Sequence, residues 1–168
     1  QCPILVPALG NATDMARKLG SKLGDCDVSI TAADNGLDVS IRVERKIADE
    51  QMPRLAALAG ELNLARLNIN GNMVATRAVP VVSIGKALVQ VPPGSFLQAT
   101  KAGEEALANL ILASLAKSRS VADLFCGVGP FALRIAERAK VTAIDSDRPA
   151  IASLSQAARL ATGLKPLK

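Results

Sequence analysis

Apolar positions recur along the chain with two periods, and each change of period marks an element. Within residues 7–23, Leu9, Met15, Ala16, Leu19 and Leu23 form a loose helical stripe, weakened at its end by Gly20 and Gly24. The period then drops to two: Val28, Ile30 and Ala32 precede the turn pair Asn35-Gly36, and Val39, Ile41 and Val43 follow it. A two-residue turn at that pair sets Ala32 opposite Val39, Ile30 opposite Ile41 and Val28 opposite Val43, with every apolar side chain on one face. A second helix is predicted over residues 49–62, with Pro53 in its first turn and Leu55, Leu58, Ala59 and Leu62 on its buried side. Leu67, Ile69, Met73 and Val74 flank Asn70-Gly71 as a second hairpin. In a third, Val82 and Ile84 oppose Ala87 and Val89 across Gly85-Lys86.

Val91-Pro92-Pro93-Gly94-Ser95 breaks the pattern, since two prolines and a glycine cannot continue a central strand. Residues 1–90 are therefore expected to form a small α+β domain with an antiparallel sheet, and residues 91–168 a second domain. There a helix over residues 101–116 takes Thr100 as its cap and carries Glu104 and Glu105 near its positive end. Its expected buried side is Leu107, Leu110, Ile111, Ser114 and Leu115. An apolar strand, Val121-Ala122-Asp123-Leu124-Phe125, runs into the turn Cys126-Gly127-Val128-Gly129-Pro130, and a helix-like segment continues to Ala139. A short strand, Val141-Thr142-Ala143-Ile144, ends on Asp145, and a helix over residues 149–162 closes the pattern before Gly163. Two strands with alternating helices are too few for a parallel sheet covered on both faces, so the chain is expected to be a fragment of a longer protein, cut within a doubly wound α/β domain.

Composition narrows the chemistry. Half of the residues are hydrophobic, enough for a real core, and no run of about 18 apolar residues or basic-then-apolar leader is present, so a soluble, cytoplasmic protein without membrane partners is expected. The formal charge is +5 from 20 Lys and Arg against 15 Asp and Glu. Residues 1–90 hold 10 basic and 9 acidic residues, and residues 91–168 hold 10 and 6, so the surplus sits in the second half, where it permits an anionic partner such as RNA. With no histidine, neither a Ser-His-Asp nor a Cys-His arrangement can exist within the chain. Cys2, Cys26 and Cys126 lie far apart, which argues against a disulfide framework and against a metal site built from these three alone. Three phenylalanines, without Trp or Tyr, leave little material for stacking nucleic-acid bases.

The glycine turn carries the clearest chemistry. Gly127 and Gly129 permit positive φ and close backbone approach, while the φ of Pro130 is preset for the start of a helix, against whose N-terminus a ligand can sit. Gly127-x-Gly129 is followed three residues later by Ala132, a glycine-to-alanine variant of the dinucleotide fingerprint. Asp145 lies 18 residues beyond Gly127, the separation at which a carboxylate at the tip of the second strand can accept ribose hydroxyls. A tight turn without ligand is the plain alternative, and Asp145 or Asp147 could simply cap the following helix. Strand, turn, helix and terminal carboxylate in this order favour an adenosine-type cofactor.

The run Asp123-Leu124-Phe125-Cys126-Gly127-Val128-Gly129-Pro130-Phe131 resembles the first motif of the class I methyltransferases that use S-adenosylmethionine, and specifically the RNA uracil 5-methyltransferases, where it commonly reads Asp-Leu-Phe-Cys-Gly-x-Gly-Asn-Phe. Phe96-Leu97-Gln98-Ala99-Thr100 resembles that family's Phe-x-Gln-x-Asn, and Gln1-Cys2-Pro3 is similar to the segment that carries the last of four cysteine ligands to an iron-sulfur cluster. The resemblance implies a Rossmann-like methyltransferase domain, truncated here, following the α+β domain. It implies cofactor contacts from Gln98, Phe125 and Asp145, a pocket shaped by Gly127 and Gly129, and a turn braced by Asp123. It also implies ribosomal or transfer RNA, not DNA, as the partner, and a 4Fe-4S cluster in the full-length parent only, because Cys2 lacks its three partner cysteines here. Pro130 and Thr100 stand where the family has asparagine. The family's catalytic cysteine and carboxylate lie downstream of Lys168, so no catalytic residue is assigned to this chain, and Cys126, within the cofactor turn, is read as packing or touching cofactor. Two other readings use the same residues: a methyltransferase-like module that binds RNA without catalysis, and a nicotinamide-dependent oxidoreductase, which Gln98 and the Cys-Gly-x-Gly-Pro context disfavour.

Overall fold

A computed structural model describes residues 5–168, which fall into two compact units, one ending at Pro80 and the other running Val81–Lys168. In the first, a short 3-10 turn at Pro7–Leu9 leads into α1 (Ala12–Leu23), and a hairpin of β1 (Asp27–Ala33) and β2 (Gly36–Arg42) follows. A second 3-10 turn, Asp49–Gln51, leads into α2 (Met52–Glu61), and β3 (Arg66–Ile69) and β4 (Asn72–Thr76) complete a four-stranded sheet in the order β1-β2-β3-β4. The two hairpins are antiparallel as expected, but β2 and β3 run parallel, because α2 carries the chain back across the sheet between them.

The helical stripes are buried where the spacing puts them: Met15, Leu19 and Leu23 of α1 and Leu55 and Ala59 of α2 pack with Val39, Ile41, Leu67 and Ile69. The β1–β2 register differs from expectation by two residues. Ile30 faces Val39 and Val28 faces Ile41, because Asp34-Asn35 form the turn and Gly36, at φ 137°, is already the first residue of β2. A slip of two preserves the face of every side chain, so the core is unaffected. At the second hairpin Asn70 (φ 51°) and Gly71 (φ 82°) both occupy the left-handed region, as a two-residue turn with the right twist requires. The reverse face of this sheet holds Asp38 and Arg66, directly opposite each other and joined by two hydrogen bonds of 2.8 and 2.6 Å.

The second unit opens with the hairpin β5 (Val81–Ile84) and β6 (Ala87–Gln90), in the register expected, with Ile84 opposite Ala87 and Val82 opposite Val89. Ile84, Ala87 and Val89 pack with Val128, Leu133, Val141 and Leu154, so the hairpin belongs to this unit and the division falls at Pro80, ahead of the Val91–Ser95 break. The unit continues with α3 (Lys101–Ser114), β7 (Ser120–Leu124), α4 (Ala132–Ala136), β8 (Lys140–Ile144) and α5 (Arg148–Leu160), with β7 and β8 parallel and in register. The segment at Leu167 adds a parallel bridge beside Val141 of β8.

Two expectations change here. The helix after the glycine turn is a short α4 ending at Ala136. The buried side of α3 is Glu104 and Ala108, with Ile111, Leu112 and Leu115 partly covered, whereas Leu107 and Leu110 are exposed. The stripe is turned because Glu104 faces Arg134 of α4 across a 3.0 Å ion pair, and that contact sets which side of α3 meets the core. Leu124 and Ile144, paired across β7 and β8, are also exposed, leaving one face of the parallel pair uncovered within this unit.

Candidate cofactor site

The chain leaves β7 through Phe125, whose φ of 60° places a bulky residue in the left-handed region, at a cost of about 1–2 kcal/mol. The carbonyl of Ile144, the last residue of β8, holds this reversal by accepting the N–H groups of Phe125 and Cys126 at 2.7 and 3.3 Å. Gly127 (φ 53°) and Gly129 (φ 87°) supply two more left-handed positions, and the Gly129 N–H returns to the Cys126 carbonyl at 2.8 Å.

Asp145 closes the turn from the neighbouring strand. Its Oδ2 accepts the Gly127 N–H at 2.8 Å and its Oδ1 the Asp147 N–H at 2.9 Å. These donors, Asp147 first and Gly127 second, hold the Asp145 carboxyl below the usual carboxylate range. Asp147 in turn caps α5, accepting the Ala150 N–H at 3.1 Å. Capping and turn closure are thus divided between the two aspartates.

The two glycines do different work. A Cβ on Gly127 would meet nothing within 4 Å, whereas one on Gly129 would lie 2.3 Å from Cδ1 of the buried Leu154. Gly127 leaves the pocket open, and Gly129 lets α5 pack against the turn. Asp123 lies behind the turn with its Oδ2 buried and without a hydrogen-bond partner among the described residues. Burial raises its pKa, a hydrogen bond from the Ala132 backbone opposes the rise, and the nearby Asp145 charge adds to it. Burial, reinforced by the charges of Asp123 and Asp145, pushes the Cys126 thiol up to about 11. A thiol so seldom ionised is poorly suited to be a nucleophile.

The opposite wall is the irregular stretch Ser95 to Gln98, just before α3. Thr100 caps that helix by accepting the Gly103 N–H at 3.0 Å, which explains how threonine serves at this position. Glu104, one turn further on, meets Arg134 of α4, so both helices that flank the pocket are tied together.

Between these walls lies a cleft of about 300 Å³, within the range of small-molecule sites. Of the six residues predicted to serve a cofactor, Gln98, Phe125, Gly127 and Asp145 line it. Asp123 and Gly129 stand behind it. Sequence reasoning did not assign Phe96, Phe131, Pro130, Asp147 or Ala150, which also line it. Phe96, Phe131 and Pro130 were visible as members of the quoted motifs, and Ala150 carried no signal. Three aromatic rings, two carboxylates and a glycine backbone suit a ligand that combines a flat base, hydroxyl groups and positive charge. Cys2, given to an iron-sulfur cluster by the resemblance, lies outside the described residues. Among the described residues no group of three or more His, Cys, Asp or Glu is placed to hold a metal ion, and no helix is long and apolar enough to cross a membrane.

No protein-family model matches the chain. It is 43% identical over 171 residues to a Brucella suis protein named an uncharacterized RNA methyltransferase, an alignment covering 99% of this chain and 41% of the relative. It is 26% identical over 148 residues to the 23S rRNA (uracil(1939)-C(5))-methyltransferase RlmD of Shewanella sediminis, covering 81% of this chain and 33% of that protein. The crystal structure of Pyrococcus abyssi tRNA (uracil-54, C5)-methyltransferase in complex with S-adenosyl-L-homocysteine superposes with a TM-score of 0.73 at 11% identity, covering 100% of this chain and 47% of that one. That superposition identifies the fold. The chain spans about two fifths of the length of the curated relatives it matches, and along that span its sequence is similar to proteins named RNA methyltransferases.

Proposed function

We propose that the cleft is part of the S-adenosylmethionine site of an RNA methyltransferase that acts on carbon 5 of uridine in ribosomal or transfer RNA in the cytoplasm. The observation that carries this reading is the Asp145 lock on Gly127: it holds an open glycine turn against the aromatic and Gln98 wall, with an ionised carboxylate at the tip of the neighbouring strand. When bound, S-adenosylmethionine supplies an electrophilic methyl group on a positively charged sulfur. Asp145 and Asp147 favour that charge, Phe125 and Phe131 offer faces to the base, and Gly127 admits the ligand against the backbone. Asp145 keeps lone pairs for ribose hydroxyls beyond those that accept the backbone N–H groups of Gly127, Ser146 and Asp147, since a carboxylate offers about four acceptor sites. The buried Cys126 stays protonated and out of the chemistry, and the uncovered face of β7 and β8 is completed by the remainder of a protein of the relatives' length.

The test is methyl transfer by protein of the relatives' full length, with labelled S-adenosylmethionine, RNA and nucleoside analysis. Label in 5-methyluridine is expected. Label in another nucleoside would overturn the position, and none would overturn the activity. The 168-residue chain alone is expected to transfer no methyl group.

A further inference from the structure

Charge is distributed unevenly along the parallel strands of the second unit. Asp123, Asp145 and Asp147 lie at the carboxyl ends of β7 and β8, beside the cleft. At the amino ends five exposed cations gather: Lys117 and Arg119 entering β7, Arg138 and Lys140 entering β8, and Lys165 on the segment that joins β8 from outside. Backbone contacts keep them together. The Lys140 N–H donates to the Arg119 carbonyl at 3.0 Å, the Lys165 N–H to the Ala136 carbonyl at 2.6 Å, and Ser118 and Arg138 border one small hollow. None of the five makes an ion pair among the described residues. Glu137, the acid on these segments, already faces Lys86 at 3.8 Å.

Like charges gathered without counter-charges repel one another, and when they neutralise the phosphates of a polyanion they release the counterions condensed on it. We propose that this end of the unit is a docking surface for the phosphodiester backbone of RNA. The identity of the partner rests on the methyltransferase reading. Five-residue strands at about 3.3 Å per residue separate the patch from the cleft by roughly 15 Å, so it grips nucleotides that flank the target and leaves the target base to the cleft. Its cations set affinity and salt dependence, and they touch neither cofactor nor reacting atoms.

The test titrates a fluorescein-labelled single-stranded RNA into the chain and into its Arg119→Gln/Lys140→Gln variant over a range of salt concentrations. Each lost phosphate contact lowers the slope of log affinity against log salt by about 0.7, so the double variant should lose about 1.4. Melting temperature and affinity for S-adenosyl-L-homocysteine should not change. An unchanged slope in a folded variant overturns the proposal, as does wild-type chain that ignores RNA or prefers anionic phosphatidylglycerol vesicles to it. Failure of the methyltransferase reading is distinguishable, since it appears as protein of full length that ignores S-adenosyl-L-homocysteine whatever the RNA slopes show.

Discussion

Gly127 and Gly129, two residues apart and alike in sequence, differ in what surrounds them, and their alanine variants should separate the two roles. Gly129→Ala pays for a left-handed alanine and also drives a methyl into Leu154, so urea unfolding should show a loss of about 2–5 kcal/mol. Gly127→Ala should cost only about 1–2 kcal/mol, while calorimetry shows at least tenfold weaker binding of S-adenosyl-L-homocysteine as the new methyl enters the cleft. The motif marked both glycines for the cofactor, because spacing alone cannot tell a residue that faces a ligand from one that faces a helix. Asp123 stands in β7, where the strand pattern puts it, and is hydrogen-bonded to the Ala132 backbone just beyond the turn, while Asp145 closes the turn itself. Cys126 supplies a test by pH. With its pKa raised to about 11, the thiolate is about one part in a thousand at pH 8, against about a quarter for an ordinary thiol. Alkylation followed by mass spectrometry should therefore be slow at pH 8 and accelerate about tenfold per pH unit toward 11. Fast alkylation at pH 8 would contradict the buried, charge-flanked setting.

Elements were legible where local chemistry determines them. Asn70-Gly71 and Gly85-Lys86 placed their hairpins correctly because turn and strand alternation agree on one register. At Asn35-Gly36 the same dipeptide led to a register two residues out, since Gly36 serves as a strand residue close to Ala65 and Arg77, a constraint from the residues that precede β3 and follow β4, which no local pattern contains. The parallel pairing of β2 with β3 was hidden in the same way. On α3, leucine spacing pointed to Leu107 and Leu110, and the buried ion pair of Glu104 with Arg134 overrides it. Glu104→Gln should lower unfolding free energy by about 1–3 kcal/mol, because it leaves the Arg134 guanidinium partly buried without its counter-charge. It should also weaken S-adenosyl-L-homocysteine binding beyond what the shift in stability accounts for, because α3 carries the Ser95 to Gln98 wall. Arginine at position 104 combined with glutamate at 134 should recover part of both losses.

For the whole molecule, composition located the basic surplus in the second half, and the fold turns that surplus into a polar axis, with acids at the cleft and cations at the opposite end of the strands. The Val91–Ser95 break marked a real interruption of the pattern, but the hairpin before it packs with the residues after it, and only three-dimensional contacts reveal which side claims it. The central claim is that Gly127 and Asp145 shape a site for S-adenosylmethionine, and the most direct measurement is calorimetric titration of protein of the relatives' length with S-adenosyl-L-homocysteine and with reduced nicotinamide dinucleotide. One-to-one binding of S-adenosyl-L-homocysteine, weakened by Gly127→Ala and absent for the dinucleotide, is the predicted result. A protein that ignores S-adenosyl-L-homocysteine, binds it unaltered by Gly127→Ala, or prefers the dinucleotide would contradict it.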